Sequence, residues 1–151
     1  ILVMLSGSQF KMRTDFLKEM QIKKGIKIDV VGREGESNSR IQFHGKIYNN
    51  KNIINNADIM VINSGYSAIS EAVVLCKPII VIPVPNHAEQ YINATTIEKA
   101  GLGIVANIKN VEEKINEMIL HFPRYVEKHR SFNCSKNGAQ LAADIIKKKI
   151  E

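Results

Sequence analysis

The stretch Ala57-Asp58-Ile59-Met60-Val61-Ile62-Asn63-Ser64-Gly65-Tyr66-Ser67-Ala68-Ile69-Ser70-Glu71-Ala72 passes from an apolar run through a serine-glycine turn into a helical pattern. Its run Ile59 to Ile62 is continuous rather than alternating in polarity, as a strand buried on both faces of a parallel sheet requires. The same alternation of short apolar runs and amphipathic stretches recurs on either side. Strands are expected at 1–6, 26–32, 40–44, 58–63, 78–83 and 103–106, and helices near 10–20, 49–56, 66–76, 88–100, 110–120, 123–131 and 137–149. Strand, helix, strand in succession implies right-handed crossovers. The expected fold class is therefore α/β, a Rossmann-like doubly wound parallel sheet of about six strands. Residues 32–39 read as one solvated loop, and Pro123 separates two C-terminal helices.

With 151 residues, 44% of them hydrophobic, the chain is long enough for one compact domain over residues 1–151 that needs no disulfide or metal staple. Cys76 and Cys134 lack any C-x-x-C or Cys/His spacing, so packing roles in a reduced compartment are expected, and no metal site. The net charge of +6 suits a diphosphate, an anionic membrane face or nucleic acid and chooses none of them. No run reaches the ~18 to 20 apolar residues of a membrane span. A cytoplasmic chain is expected, with a peripheral position on the membrane face left open. The start at Ile1, inside an apolar run and without methionine, suggests a fragment of a longer protein or a subunit of one.

In open parallel sheets ligands bind beyond the carboxyl ends of the strands. Four loops fall there. Ser64, Gly65, Tyr66 and Ser67 open a helix, where close backbone approach and exposed N–H groups favour phosphate, although an N-cap with a tight turn explains the segment equally well alone. Glu71 follows Ser67 by one helical turn and can accept hydrogen bonds from both ribose hydroxyls. Its apolar neighbours Ala72, Val73 and Val74 suggest a defined partner rather than free solvation. In the loop 83–90, two prolines precede His87, Glu89 and Gln90, an acceptor and an amide suited to vicinal sugar hydroxyls. Ser6-Gly7-Ser8 offers a further set of backbone donors. Neither G-x-G-x-x-G nor a Walker motif occurs, which argues against dinucleotide and P-loop enzymes.

Residues 57–72, with Lys77-Pro78, the loop 83–90, the opening Leu5-Ser6-Gly7-Ser8-Gln9 and the turn Ala100-Gly101-Leu102-Gly103, resemble the C-terminal domain of glycosyltransferase family 28, the family of the peptidoglycan UDP-N-acetylglucosamine transferase. Ser6 replaces one of the family's usual glycines. The resemblance implies one half of a two-domain GT-B fold. It places Gly7 and Ser8 near the phosphates, the Ile47 backbone at the uracil edge, Gly65 to Ser67 at the diphosphate, Glu71 on the ribose, and Glu89 with Gln90 on the donor sugar. It further implies that the acceptor pocket and general base lie in an N-terminal domain or separate subunit, so that no catalytic residue is identifiable here.

The function expected is the donor-binding half of a UDP-sugar-dependent inverting glycosyltransferase, acting without cofactor on an acceptor hydroxyl that could belong to a membrane-associated molecule. N-acetylglucosamine is one candidate sugar. A UDP-N-acetylglucosamine 2-epimerase half and a non-catalytic nucleotide-sugar-binding module are the alternatives. Nucleic acid is not an expected partner, because aromatics are only 6% of the chain and no stacking platform is visible.

Overall fold

Six short apolar runs lie side by side in the computed structural model, which describes residues 1–5, 17, 20, 21, 24–132 and 138–150. They form strands β1 (Leu2–Met4), β2 (Ile28–Val31), β3 (Ile41–Phe43), β4 (Met60–Ile62), β5 (Ile79–Val81) and β6 (Gly103–Val105). All pair in parallel, in the order β3-β2-β1-β4-β5-β6. Helices α1 (Lys51–Asn56), α2 (Tyr66–Val74), α3 (Ala88–Ala100), α4 (Val111–Leu120), α5 (Phe122–Ser131) and α6 (Gly138–Ile150) complete the described elements. Each of these strands and helices matches an expected element. The helix expected over 10–20 lies largely outside the described residues.

The pleat divides the core into two. On one face Val3, Val30, Val61, Ile80 and Ile104 meet Leu17, Met20 and, from α4, Val111, Ile115 and Met118. On the other, Leu2, Met60, Ile62, Ile79 and Val81 meet Ile54 of α1, Ile69 and Ala72 of α2, and Ala94 and Ile97 of α3. Every residue of β4 and β5 is buried, which explains their unbroken apolar sequence. Burial of each such Ile or Val side chain stabilises the fold by about 1.5–3 kcal/mol relative to exposure. Toward the β3 edge the side chains turn polar: Gln42 is exposed, and His44 Nε2 hydrogen-bonds Asp29 Oδ1 at 2.6 Å.

Polar groups fix the connections. Lys77 Nζ donates to Asn55 O at 2.8 Å and Ala57 O at 2.7 Å, placing a cation where the α1 carbonyls run out. Gly101, at φ 70, closes α3, with its N–H donating to Glu98 O and that of Leu102 to Ile97 O. A Cβ on Gly103 would run into the carbonyl oxygen of Ile79 and stand 2.8 Å from Ile79 Cγ1, so only glycine lets β6 lie against β5 there. Pro123 sits in the first turn of α5, where its missing N–H costs no helical hydrogen bond.

Cys76 requires a correction. It was expected as a reduced, packing thiol, but it is disulfide-bonded, and Cys134 lies outside the described residues. Cys76 follows α2 in a left-handed turn at φ 53, half-buried and in neither core cluster, so it is not a packing residue of the core. The inference to a reduced compartment thereby loses its premise. Among the described residues, no helix is long and apolar enough to cross a membrane.

His129 of α5 is fully buried, and its Nε2–H donates to Leu102 O at 2.7 Å. A carbonyl only accepts, so Nε2 carries the hydrogen in the neutral ring. Burial pushes the pKa below the ordinary 6.5, outweighing the backbone hydrogen bond that raises it. Below pH 6.5 the unfolded chain therefore binds a proton at His129 that the folded chain refuses, and stability falls as pH drops through that value toward the lowered folded pKa. Substituting His129→Gln, which keeps a donor for Leu102 O, should flatten this acid-side loss relative to wild type. Urea unfolding midpoints on both sides of pH 6.5 measure the difference; parallel curves for the two proteins would refute the assignment.

Candidate donor-binding site

The strand order reverses beside β1, where β2 and β4 flank it. The crossovers leave to opposite faces there, opening a crevice beyond the carboxyl ends. Of the loops expected to line it, Gly7 and Ser8 lie outside the described residues. The loop after β4 is held on both sides. Asn63, buried, donates from Nδ2 to Ile82 O at 3.2 Å just past β5, and Asn93 Nδ2 of α3 donates to Ser64 O at 3.0 Å. These two bonds set the backbone from which α2 starts.

The Ser64 hydroxyl does not serve the helix start. The residue is fully buried, and its Oγ neither caps α2 nor reaches solvent, because the strand carries it inward before the turn. Gly65 occupies the N-cap position in extended backbone (φ −69, ψ 139), and no side chain caps the helix. A Cβ on Gly65 would meet nothing within 4 Å, so neither the backbone nor internal packing requires glycine. What the missing side chain provides is open approach to the first amides of α2, the positive end of the helix. Tyr66 and Ser67 are exposed beside it.

Glu71 lies one turn further along α2 and is exposed, whereas Ala72 next to it enters the core. Helix geometry turns adjacent side chains about 100° apart, so Glu71 faces outward while its neighbour Ala72 is buried. Glu71 lines a cavity of about 620 Å³ with Tyr48, Asn50, Lys51 and Ser70. Ile47, half-buried against the second core cluster, anchors the loop that brings Tyr48 to that cavity.

The loop after β5 divides its residues. His87 is exposed at the start of α3 and lines a second cavity, of about 520 Å³, with Pro83 to Ala88 and Tyr91. Glu89 is exposed in the first turn, and Gln90 turns inward to accept the Val84 N–H on Oε1 at 3.0 Å. The two are therefore splayed rather than paired, and one of Gln90's polar atoms is already committed to bracing the loop. Neither lines the 520 Å³ cavity. A further cavity of about 480 Å³ opens at the amino ends of β1, β2 and β4, around Ile1, Lys27 and Asp58; it contains none of the expected residues. Among the described residues no group of three or more His, Cys, Asp or Glu could hold a metal.

The sequence reading assigns no role of their own to Asn63, Asn93 or Tyr48. Asn93 had a usable signal, since it follows Gln90 by three residues and so shares its helix face.

The model of the glycosyltransferase family 28 C-terminal domain matches residues 14–148. The UDP-N-acetylglucosamine--N-acetylmuramyl-(pentapeptide) pyrophosphoryl-undecaprenol N-acetylglucosamine transferase of Deinococcus deserti is 33% identical over 88 residues, 57% of this chain and 20% of that protein. The matched stretches span about a fifth of the length of such curated relatives. Among solved structures, the glycotransferase of kitacinnamycin matches with a TM-score of 0.72 at 20% identity, over 97% of this chain and 42% of that one. The Streptomyces sp. SF2575 glycosyltransferase SsfS6, complexed with thymidine diphosphate, matches with a TM-score of 0.66 at 18% identity, over 86% and 35%. These likenesses establish the fold as that of one half of a GT-B protein.

The anchoring of Ser64 is open to direct test. Asn93→Ala removes the donor to Ser64 O and should cost about 1–2 kcal/mol in stability. Hydrogen exchange should accelerate at residues 64–67 while the amides of β1 and β5 keep their protection. Uniform acceleration throughout, or none, would show that Asn93 does not hold this loop.

Proposed function

Because the chain belongs to the glycosyltransferase family 28 C-terminal domain family, we propose that it is the donor-binding half of a glycosyltransferase that uses a UDP-sugar. The observation that carries the reading is the pairing of an uncapped helix start, open above Gly65, with an exposed carboxylate one turn away at Glu71. In this reading the diphosphate lies over Gly65, Tyr66 and Ser67, joined by Gly7 and Ser8. The ribose hydroxyls donate to Glu71, and the Ile47 backbone meets the edge of the uracil. In the same reading Glu89, the amide nitrogen of Gln90 and His87 meet the sugar or the neighbouring phosphate. A protein of the same fold solved with thymidine diphosphate supports a pyrimidine nucleoside diphosphate, and the Deinococcus relative supports N-acetylglucosamine as the sugar.

The reaction is a displacement. An acceptor hydroxyl forms its bond to the anomeric carbon as the bond from that carbon to the diphosphate oxygen breaks, with inversion. The bonding pair leaves on UDP, and the hydroxyl proton passes to a base on the acceptor-binding half. The α2 amides stabilise charge developing on the departing diphosphate. One helix terminus contributes only about 0.3–2 kcal/mol, so the loop after β1 and the helix start must act together. Metal-free binding and an acceptor half that is covalent or separate, near a membrane or not, belong to the same proposal.

Calorimetric titration tests it. UDP should bind more tightly than NAD, and Glu71→Ala should weaken UDP about tenfold, or ~1.4 kcal/mol, without altering the melting temperature. With dUDP the wild type should bind more weakly and lose less on mutation, one of the two hydroxyl bonds being already absent. Preference for NAD would reject the nucleotide assignment, and unchanged UDP affinity in Glu71→Ala would reject the ribose contact. Radiolabelled transfer by the 151-residue chain alone should remain at background; turnover by the isolated chain would overturn the division into halves.

A further inference from the structure

Helices α1 to α5 each bury at least one residue, but no residue of α6 is buried. Its Leu141, Ile145, Ile146 and Ile150 are 61%, 50%, 57% and 80% exposed. At about 100° per residue these four, with Ala142, occupy one half of the helix circumference. Gln140, Asp144, Lys147 and Lys148 occupy the other, where Gln140 Nε2 donates to Asp144 Oδ1 at 2.9 Å. A helix of 13 residues is marginal in water by propensity alone and takes most of its stability from packing an apolar face. The face is present in α6, and the described residues leave it uncovered. Lys147, Lys148 and Lys149 form the last turn, ring the helix end in steps of about 100° and put Lys149 inside the apolar half. They complement the carbonyl end of the helix, which accounts for their position but not for four exposed aliphatic side chains.

We infer that α6 is an interfacial helix that lies on an anionic lipid surface, with its aliphatic half among the acyl chains and its lysines among the headgroup phosphates. Lys149 decides for lipid over a protein groove. A groove that took the apolar half would strip water from the Lys149 ammonium and supply it no partner, which is costly, and the cores of protein interfaces are depleted in lysine. On a bilayer the Lys149 stem lies one turn on from Ile145 and Ile146, while the ammonium snorkels to the headgroups. The face is aliphatic throughout, without the aromatic, Met or Arg side chains in which protein interfaces are enriched. Three lysines against one carboxylate, Asp144, give the helix the sign of charge that anionic lipid attracts, and the net charge of +6 on the whole chain acts in the same direction. No residue of α6 lines either crevice cavity, so the surface is separate from the donor site and does not depend on that reading.

Co-sedimentation of the 151-residue chain with vesicles of phosphatidylcholine, alone or mixed with phosphatidylglycerol, tests the inference. The chain should bind the mixed vesicles, release them as salt rises, and leave pure phosphatidylcholine nearly untouched. The triple variant Lys147→Gln, Lys148→Gln, Lys149→Gln should lower the partition about a hundredfold, at roughly fivefold per lysine. The double variant Ile145→Gln, Ile146→Gln should lower it at least about tenfold. Because these side chains are exposed, the melting curves of both variants should coincide with that of wild type, and their affinity for UDP should be unchanged. The chain has no Trp, so Leu141→Trp provides a single reporter whose emission should move to the blue on the mixed vesicles. Failure of wild type to bind the mixed vesicles, or equal binding by both variants, would refute the inference. Loss in the lysine variant alone, with no blue shift, would mean adsorption by charge without insertion and would overturn it too. A blue shift that grows with protein concentration in the absence of lipid, together with a dimer that the isoleucine variant dissolves, would assign the face to a second copy of the chain instead. If UDP fails to bind while the vesicles do, the donor reading falls and the lipid surface stands.

Discussion

The crevice exists because β1 must satisfy hydrogen bonds along both of its edges, to β2 on one side and β4 on the other. Backbone groups in a buried strand have no water to turn to. The chain therefore leaves β1 toward one edge of the sheet and returns to its other side only at β4, with crossovers on opposite faces. The divergence opens a gap that no element of the sheet can fill. Every candidate donor residue that the structure describes stands on a loop or in the first two turns of a helix reached from β3, β4 or β5 beside that gap, so a change that re-paired the sheet in another order would scatter them.

Within that frame the core and the polar anchors have different tasks. The two apolar clusters hold α1, α2 and α3 on one face and α4 on the other, but non-directional burial does not aim a helix start to within an ångström. That is left to directed bonds: Asn63 to Ile82 O, Asn93 to Ser64 O, and Gln90 to the Val84 N–H. Each spends side-chain polarity on backbone at the carboxyl edge of the sheet. The opposite edge relies on Lys77 over the end of α1, and the β6 edge on the glycine that lets β6 close against β5.

In the proposed reading, the chemistry is divided physically between a donor half and an acceptor half. Stabilising a departing diphosphate calls for fixed amides and a helix end, which a rigid parallel sheet supplies without motion. Accepting a proton from an incoming hydroxyl calls for a base on the opposite side of the anomeric carbon, which a single layer of loops above one sheet edge is poorly placed to provide. Two sheets facing each other across a cleft resolve the conflict. The likeness to two-fifths of a GT-B glycosyltransferase chain is consistent with such a division.

Continuous apolar runs such as Met60–Ile62 and Ile79–Val81 made the sheet legible, because strands buried on both faces admit little else. Helix ends were legible wherever a local residue enforces them, as Gly101 and Pro123 do. The residue types of the site were legible too, since Ser-Gly before a helix and Glu one turn later are local patterns. Their orientations were not. Ser64 and Gln90 carry the polarity expected of ligand contacts, yet one is buried and the other braces a loop. Glu71 sits among apolar neighbours in sequence and faces solvent in space. Periodicity and turn chemistry act over a few residues, so the sequence by itself determined the elements, their order and the chemistry available. Which polar atoms remain for a ligand depends on partners such as Ile82 and Asn93, 19 and 29 residues away from those they bond, and only the tertiary structure brings those together.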